Sequence, residues 1–245
     1  MTAEAQRLNR YLAACGLGSR RGVEALVTDG RVTIDDVVAT SPGQRVPEGA
    51  RVALDGRPVA PDEHAYVLMH KPAEVVTTVR DTHGRRTVID LVGADRRLFP
   101  IGRLDADTTG LLLLTNDGDL AARLMHPRHG VEKTYEATVV GAVSAETAAE
   151  LAAGVELDGR RTAPARVRVL RASGRQSVVE IVLHEGRKHV VRRVLAQVGH
   201  PVTRLVRTAI GPVRLGGQRA GTLRPLTGAE VAALYRAAEA PPTRQ

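Results

Sequence analysis

Aromatic side chains are nearly missing from this chain of 245 residues, which has no Trp, one Phe (Phe99) and four Tyr. Val, Leu and Ala must therefore fill the core, and each remaining ring becomes a better candidate for a specific task. Cysteine is scarcer still: Cys15 stands alone, which excludes an internal disulfide and suits a reducing cytosol. No apolar run reaches membrane-spanning length, and the polar stretch from Met1 to Arg10 has nothing of a signal peptide, so a cytoplasmic protein without a membrane partner is expected. The eight His residues show no ligand spacing; His126 and His129 flank a proline and read as a loop pair, so no metal is expected. No internal repeat is found.

What the chain does have is positive charge in one place. The net charge is +8, and residues 181–245 alone carry eleven Lys and Arg against three Asp and Glu. Such an excess is the electrostatic footprint of a nucleic-acid partner, although an arginine-rich composition alone would produce the same total.

The most informative stretch is Gly102-Arg103-Leu104-Asp105, continuing through Thr108, Gly110 and Leu111-Leu112-Leu113-Leu114 to Thr115-Asn116-Asp117-Gly118. The leucine run is apolar on both faces and reads as a strand covered on both sides. Asn116-Asp117-Gly118 is a turn signal that ends it. A carboxylate just ahead of such a strand is held by rigid scaffold, as a nucleophile needs to be.

This segment resembles the signature of the bacterial ribosomal-RNA pseudouridine synthases that carry an N-terminal S4 domain. The resemblance implies that Asp105 is the catalytic residue and that the reaction isomerises uridine to pseudouridine. The uracil leaves C1′ of its ribose, turns, and rejoins through C5, with no net redox change. No cofactor and no metal is implied. A second motif, Glu132-Lys133-Thr134-Tyr135-Glu136-Ala137, implies Tyr135 as the platform for the target base, where a phenol ring offers a sequence-tolerant stacking surface. A third, Glu185-Gly186-Arg187-Lys188-His189-Val190-Val191-Arg192-Arg193, implies that Arg192 pairs with Asp105; a guanidinium favours the ionised carboxylate and fixes its orientation. Arg103, Arg187, Lys188, His189, Arg193, Arg204 and Arg207 extend a basic strip expected to follow the RNA backbone. Three departures from the family pattern stand out: His70 for Asn with Ala73-Glu74 for small residues or Gly, Val190 for Gln, and Asp35-Asp36 for Asn-Gly.

Residues 6–60 read as a separate small unit of two helices followed by short strands. Leu8, Tyr11 and Leu12 share a helix face, and Ser19 is a candidate N-cap for a second helix through Val23, Leu26 and Val27. Its ordered arginines, Arg7, Arg10, Arg20, Arg21 and Arg31, resemble the S4 RNA-binding domain, and imply positioning of structured RNA through phosphates. Residues 61–65, rich in Pro and acid with their preceding neighbours, read as a linker, and 66–240 as the catalytic domain. There, strands are expected at Tyr66–Met69, Val75–Val79, Val131–Val140 and Ser177–Leu183, a hairpin over Val155–Val169, and helices at Leu120–Met125, Ser144–Ala153, Arg187–Val198 and Ala229–Ala240. Strands outnumber a regular β-α alternation, so the fold class is α+β, with a mixed, mainly antiparallel sheet flanked by helices.

Two rival readings share some of these residues. A non-catalytic S4-containing RNA-binding or ribosome assembly factor would have little reason to keep Asp105, Tyr135 and Arg192 together. A metal-dependent phosphohydrolase could use Asp105, Asp107, Asp117 and Asp119, but the last two lie about 10 Å or more along the leucine strand from the first. The expected partner is ribosomal RNA or a ribosome assembly intermediate, and the expected state is a monomer. Leu124-Met125-His126-Pro127 resembles the large-subunit enzymes, which tilts the target toward large-subunit rRNA.

Overall fold

A computed structural model describes residues 6–93, 97–184 and 186–239. Glu185 of the third motif, Ala240, and the terminal Pro-Pro-Thr-Arg-Gln that reads as frayed lie outside the described residues. The chain forms two compact units, one running to His64 and the other holding nearly everything from Ala65 onward.

In the first unit the apolar positions spaced three and four apart become helices α1 (Leu8–Ala14) and α2 (Glu24–Thr28). They bury Leu8, Leu12, Val23 and Val27 against Val32, Ile34 and Val52 of a small antiparallel sheet. That sheet consists of β1 (Val32–Ile34), β2 (Val37–Val38), β3 (Val52–Leu54) and β4 (Arg57–Pro58), in the order β2-β1-β3-β4. Asp35 and Asp36, standing where the family has Asn-Gly, both take left-handed φ values of 48° and 65°. A two-residue hairpin loop with both residues left-handed matches the twist of its strands, so the substitution keeps the turn. Ser19 caps less than expected: its hydroxyl accepts from the Gly22 amide in the turn ahead of α2, and Val23 occupies the helix N-cap. The Pro-rich segment after β4 packs on this unit, with the Asp62 amide donating to Ala14 O at 2.9 Å. Burial and then Asp62 push the Cys15 thiol up to about 12, which leaves it unreactive at neutral pH.

The second unit is built on one mixed sheet. Its strands are β5 (Tyr66–Lys71), β6 (Phe99–Ile101), β7 (Thr109–Thr115), β8 (Lys133–Val140), β9 (Glu156–Leu157), β10 (Arg160–Arg161), β11 (Arg166–Ala172), β12 (Gln176–Leu183), β13 (Val202–Ile210), β14 (Val213–Arg214) and β15 (Leu223–Pro225). The sheet order is β11-β12-β8-β13-β7-β5-β15, with β14 beside β13 and β6 beside β7, while β9 and β10 pair only with each other. β13 and β7 run parallel, and the remaining ladders are antiparallel. The helices are α3 (Gly118–Met125), α4 (Ala145–Ala153), α5 (Val190–Gln197) and α6 (Gly228–Glu239).

The period of two along β7 explains why its leucines are apolar on both faces. Leu111 and Leu113 pack with Leu120 and Leu124 of α3 and Leu234 of α6. Leu112 and Leu114 face the other way, onto Met69, Val75, Val88, Leu98 and Leu104. Each fully buried leucine contributes roughly 2 kcal/mol of transfer free energy. A third cluster lies under α5, where Val191, Val194 and Leu195 meet Ala137, Val139, Ile181 and Leu205. Two of the four tyrosines serve the far end of β7. The buried Asp117 caps α3 by accepting from the Asp119 and Leu120 amides, and also accepts from the Tyr66 and Tyr235 hydroxyls. That clamp fastens α6 to the sheet and commits Asp117 to a structural task.

Three segments differ from the sequence reading. Val75–Val79 is a loop whose pairing is a single bridge from Val76 to Thr87; both edges of β5 are already taken by β7 and β15, so no ladder position is open to it. The hairpin around Asp158-Gly159 is only two residues deep, because β11 leaves it to pair with β12. The helix expected from Arg187 begins at Val190.

Gly110 marks the parallel junction. Its φ is +111°, and a Cβ there would sit 2.3 Å from the Arg207 carbonyl oxygen. Gly110→Ala should therefore force β7 away from β13 and cost about 3 kcal/mol. Urea unfolding of the purified variant measures this, and a midpoint equal to wild type would contradict the packing described.

Candidate active site

The segment Leu104–Thr108 leaves β6 and enters β7 as a loop, and side chains from distant elements grip it residue by residue. Thr77 Oγ1 donates to Leu104 O at 2.7 Å and accepts from Leu104 N at 3.2 Å. Lys71, fully buried at the end of β5, donates its ammonium to Pro72 O and Val75 O at 2.8 Å each and to Ala106 O at 3.3 Å. Ala106 O also accepts from the Glu74 amide at 2.8 Å. Arg207 on β13 donates Nε to Leu111 O at 2.8 Å and Nη1 to Arg103 O at 3.4 Å. The loop closes on itself through Thr108 N to Asp105 O at 3.1 Å. A buried backbone polar group costs free energy unless it is paired, so each of these bonds also fixes the loop's shape.

On that loop stand two carboxylates, Asp105 and Asp107, with one residue between them, and each meets a nitrogen-bearing side chain from the third motif. Asp105 is partly exposed, and its Oδ1 lies 3.2 Å from His189 Nε2. Asp107 is exposed, and its Oδ2 lies 2.9 Å from Arg192 Nη2. The same nitrogen reaches Asp107 O and Thr108 Oγ1, both at 3.4 Å. The expected Arg192–Asp105 pair is thus replaced by two neighbouring pairs. The reason is positional: Arg192 lies one helical turn into α5, level with Asp107, whereas His189 precedes the helix and meets Asp105. Arg192 Nε is buried without a partner among the described residues, so the guanidinium has a donor to spare.

Tyr135 is half-buried on β8 and packs against the cluster that contains Leu104, the residue before Asp105. In register it faces Arg207 on β13, which in turn faces Gly110 on β7. Phenol, buried guanidinium and loop entrance therefore share one transverse row of the sheet.

The basic strip is redistributed. Arg207 is 4% exposed and lies inside the protein, so it cannot follow an RNA backbone; an arginine flanked by Leu205, Val206, Ala209 and Ile210 was a legible sign of burial. Arg204 is exposed but pairs with Thr138, on the face opposite Tyr135. Arg193, the neighbour that could rival Arg192, points to Asp158 on the β9–β10 turn at 2.6 Å. Arg187 donates to Arg161 O at 2.9 Å and Arg160 O at 3.4 Å, which fastens the same hairpin. Arg103 and Lys188 are exposed. In the first unit Arg7, Arg20 and Arg21 are exposed and Arg10 is partly so. Arg31 is held by Asp55 through Nη2 at 2.6 Å and Nε at 3.0 Å, a bidentate pair that competes with phosphate.

The departures from the family pattern also find their places. His70 Nδ1 lies 2.7 Å from Gln218 O, which anchors the end of β5. Glu74 takes a left-handed φ of 64° where a glycine is common. Val190 is the first residue of α5 and is buried in the apolar cluster beneath that helix. Sequence reasoning missed Lys71, Thr77 and Asp107 as loop and cation holders, since nothing in a strand-end lysine or a loop threonine announces a partner about thirty residues away.

Comparison with known proteins follows the same division of the chain. The family profile described as RNA pseudouridylate synthase matches residues 65–197, and the S4 domain profile matches residues 6–60. An uncharacterized RNA pseudouridine synthase of Mycobacterium tuberculosis (strain H37Rv) is 46% identical over 237 residues, covering 94% of this chain and 93% of its own. The protein named ribosomal large subunit pseudouridine synthase B of Bacillus subtilis (strain 168) is 38% identical over 237 residues, covering 96% and 97%. A crystal structure of a pseudouridylate synthase superposes with a TM-score of 0.68 at 30% identity, covering 94% of this chain and all of that one.

Two measurements probe the loop. Thr77→Val removes a donor and an acceptor without changing shape, leaves both polar groups of Leu104 unpaired, and should cost about 2 kcal/mol in urea unfolding. Burial lowers the Lys71 amine to about 8, against the opposing pull of Asp107 and Asp105; burial and then Arg207 lower Lys133 to about 8 as well. Between about 8 and the ordinary 10.5 the unfolded chain binds more protons at these groups than the folded one, so their contribution to stability rises with pH across that window. Unfolding titrations at pH 8 and pH 10 should show wild type gaining stability relative to a Lys71→Met/Lys133→Met variant, and parallel pH profiles would refute the assignment.

Proposed function

The chain belongs to the RNA pseudouridylate synthase family, in the branch that carries an N-terminal S4 domain, and from that premise we propose that it isomerises a uridine of large-subunit ribosomal RNA, with Asp105 as nucleophile. The observation that carries this reading is the pinned loop: Asp105 is the partly exposed carboxylate on a backbone whose neighbours are bonded to Thr77, Lys71 and Arg207. Whether it adds to C1′ or removes a proton from the sugar, the carboxylate must be ionised and correctly aimed when the glycosidic bond breaks.

Tyr135 is the platform for the flipped uracil, where base stacking on a phenol is worth roughly 1–3 kcal/mol. Arg192 is the cation of the reacting state. Asp105 and Asp107 are separated by a single residue, and Arg192 keeps an unpaired Nε among the described residues, so a side-chain rotation exchanges one carboxylate for the other once RNA is in place. A uridine in folded RNA is stacked, and extruding it costs a few kcal/mol unless it already lies in a loop. Exposed arginines of the S4 unit, with Arg103 and Lys188 of the second, supply phosphate contacts that offset this cost. Large-subunit rRNA is favoured because the Bacillus subtilis relative bears that name at 38% identity. The enzyme works in the cytoplasm as a monomer on rRNA or an assembly intermediate, without cofactor or metal.

Chemical mapping of pseudouridine in rRNA from cells lacking the gene should show a lost site in large-subunit rRNA, restored by wild type. Asp105→Asn should bind the RNA with unchanged affinity and restore nothing. If that variant restores the modification, the nucleophile is wrong, and if no site is lost at all, the chain acts as an assembly factor.

A further inference from the structure

Six non-glycine residues among those described have a left-handed backbone, and five of them are Asp or Glu: Asp35, Asp36, Asp55, Glu74 and Asp158. The sixth is His189, with φ 55° and ψ 25°, placed immediately before α5. A left-handed conformation is strained for a residue with a Cβ, and such strain persists where the surrounding structure imposes it, most often at functional sites. Here it turns the imidazole toward the nucleophile loop, with Nε2 3.2 Å from Asp105 Oδ1.

From this geometry we infer that His189 is the positioning residue for Asp105, holding the carboxylate through Nε2–H while Asp107 holds Arg192. The inference rests on Asp105 being the nucleophile and adds a division of labour to it. Asp105 needs a partner that fixes its direction in the absence of RNA, and Arg192 cannot serve while it is bonded to Asp107 at 2.9 Å. An imidazole N–H fixes the direction of a carboxylate oxygen with a single bond. It leaves the second oxygen, Oδ2, without a protein donor among the described residues and open to the sugar. This role also differs from that of a backbone-tracking histidine, which would contact phosphate and leave Asp105 alone.

The two roles make opposite predictions. His189→Gly removes the ring and relieves the left-handed strain, while His189→Gln keeps an N–H donor at similar reach. Single-turnover conversion of a large-subunit rRNA fragment, RNA affinity and thermal midpoint are measured for both, with Asp105→Asn alongside. His189→Gly should keep the wild-type RNA affinity, hold or raise the midpoint, and slow conversion by about a hundredfold, the effect of misplacing a reacting group by an ångström. His189→Gln should recover most of the rate. A His189→Gly protein that converts at the wild-type rate, or loses only RNA affinity, overturns the inference, as does a His189→Gln no faster than His189→Gly. If Asp105→Asn is inert while His189→Gly is fully active, this inference alone falls; if Asp105→Asn is active, the nucleophile assignment falls with it.

Discussion

The second unit depends on how the backbone of a five-residue loop, Leu104–Thr108, is satisfied. Leu104 is bonded in both directions by Thr77, Ala106 O accepts from Lys71 and from the Glu74 amide, and Asp107 O accepts from Arg192. Arg207 reaches around from β13 to Arg103 O and Leu111 O, bracketing the loop at both ends. These donors come from three separate stretches of chain: residues 71–77, α5 and β13. A loop held in this way has few alternative conformations to lose, which is what a nucleophile needs when a misplacement of an ångström is costly. Buried cations do much of this holding. Lys71 and Arg207 spend their charge on carbonyl oxygens rather than carboxylates, which leaves Asp105 and Asp107 to His189 and Arg192.

The sheet under the loop explains why such a feature is possible in a chain so poor in aromatics. β7 contributes leucines to two cores at once, and the parallel contact with β13 brings Arg207 close enough to reach across it. That contact tolerates no Cβ at Gly110, so one glycine sets the spacing between the strand that follows the Asp105 loop and the strand that carries the buried Arg207. Tyr135 is one strand further along the same row. Of the other three tyrosines, Tyr66 and Tyr235 close the opposite end of β7 on Asp117, and Tyr11 donates to Val59 O in the first unit.

Much of the architecture was legible in the sequence. The leucine run, the helix expected at Leu120–Met125, the serine cap of α4 and the long strands β8 and β12 lie close to where periodicity and turn residues place them, because these features depend on neighbours two to four residues away. The loop at 75–79 was not legible, since its β-prone residues cannot reveal that every adjacent sheet edge is occupied. The basic strip was half legible. Arginine content announces a nucleic-acid partner, but period two decides that Arg204 and Arg207 point to opposite faces, and burial decides that Arg207 is structural.

The sequence by itself determined the family and the order of the two units, because contiguous motifs carry that information. Tertiary structure alone decided which side chain of the third motif meets which carboxylate. His189 meets Asp105 and Arg192 meets Asp107 because the start of α5 lies against residues some 85 positions earlier, and a pairing fixed by the angle at which a helix enters leaves no trace in local spacing.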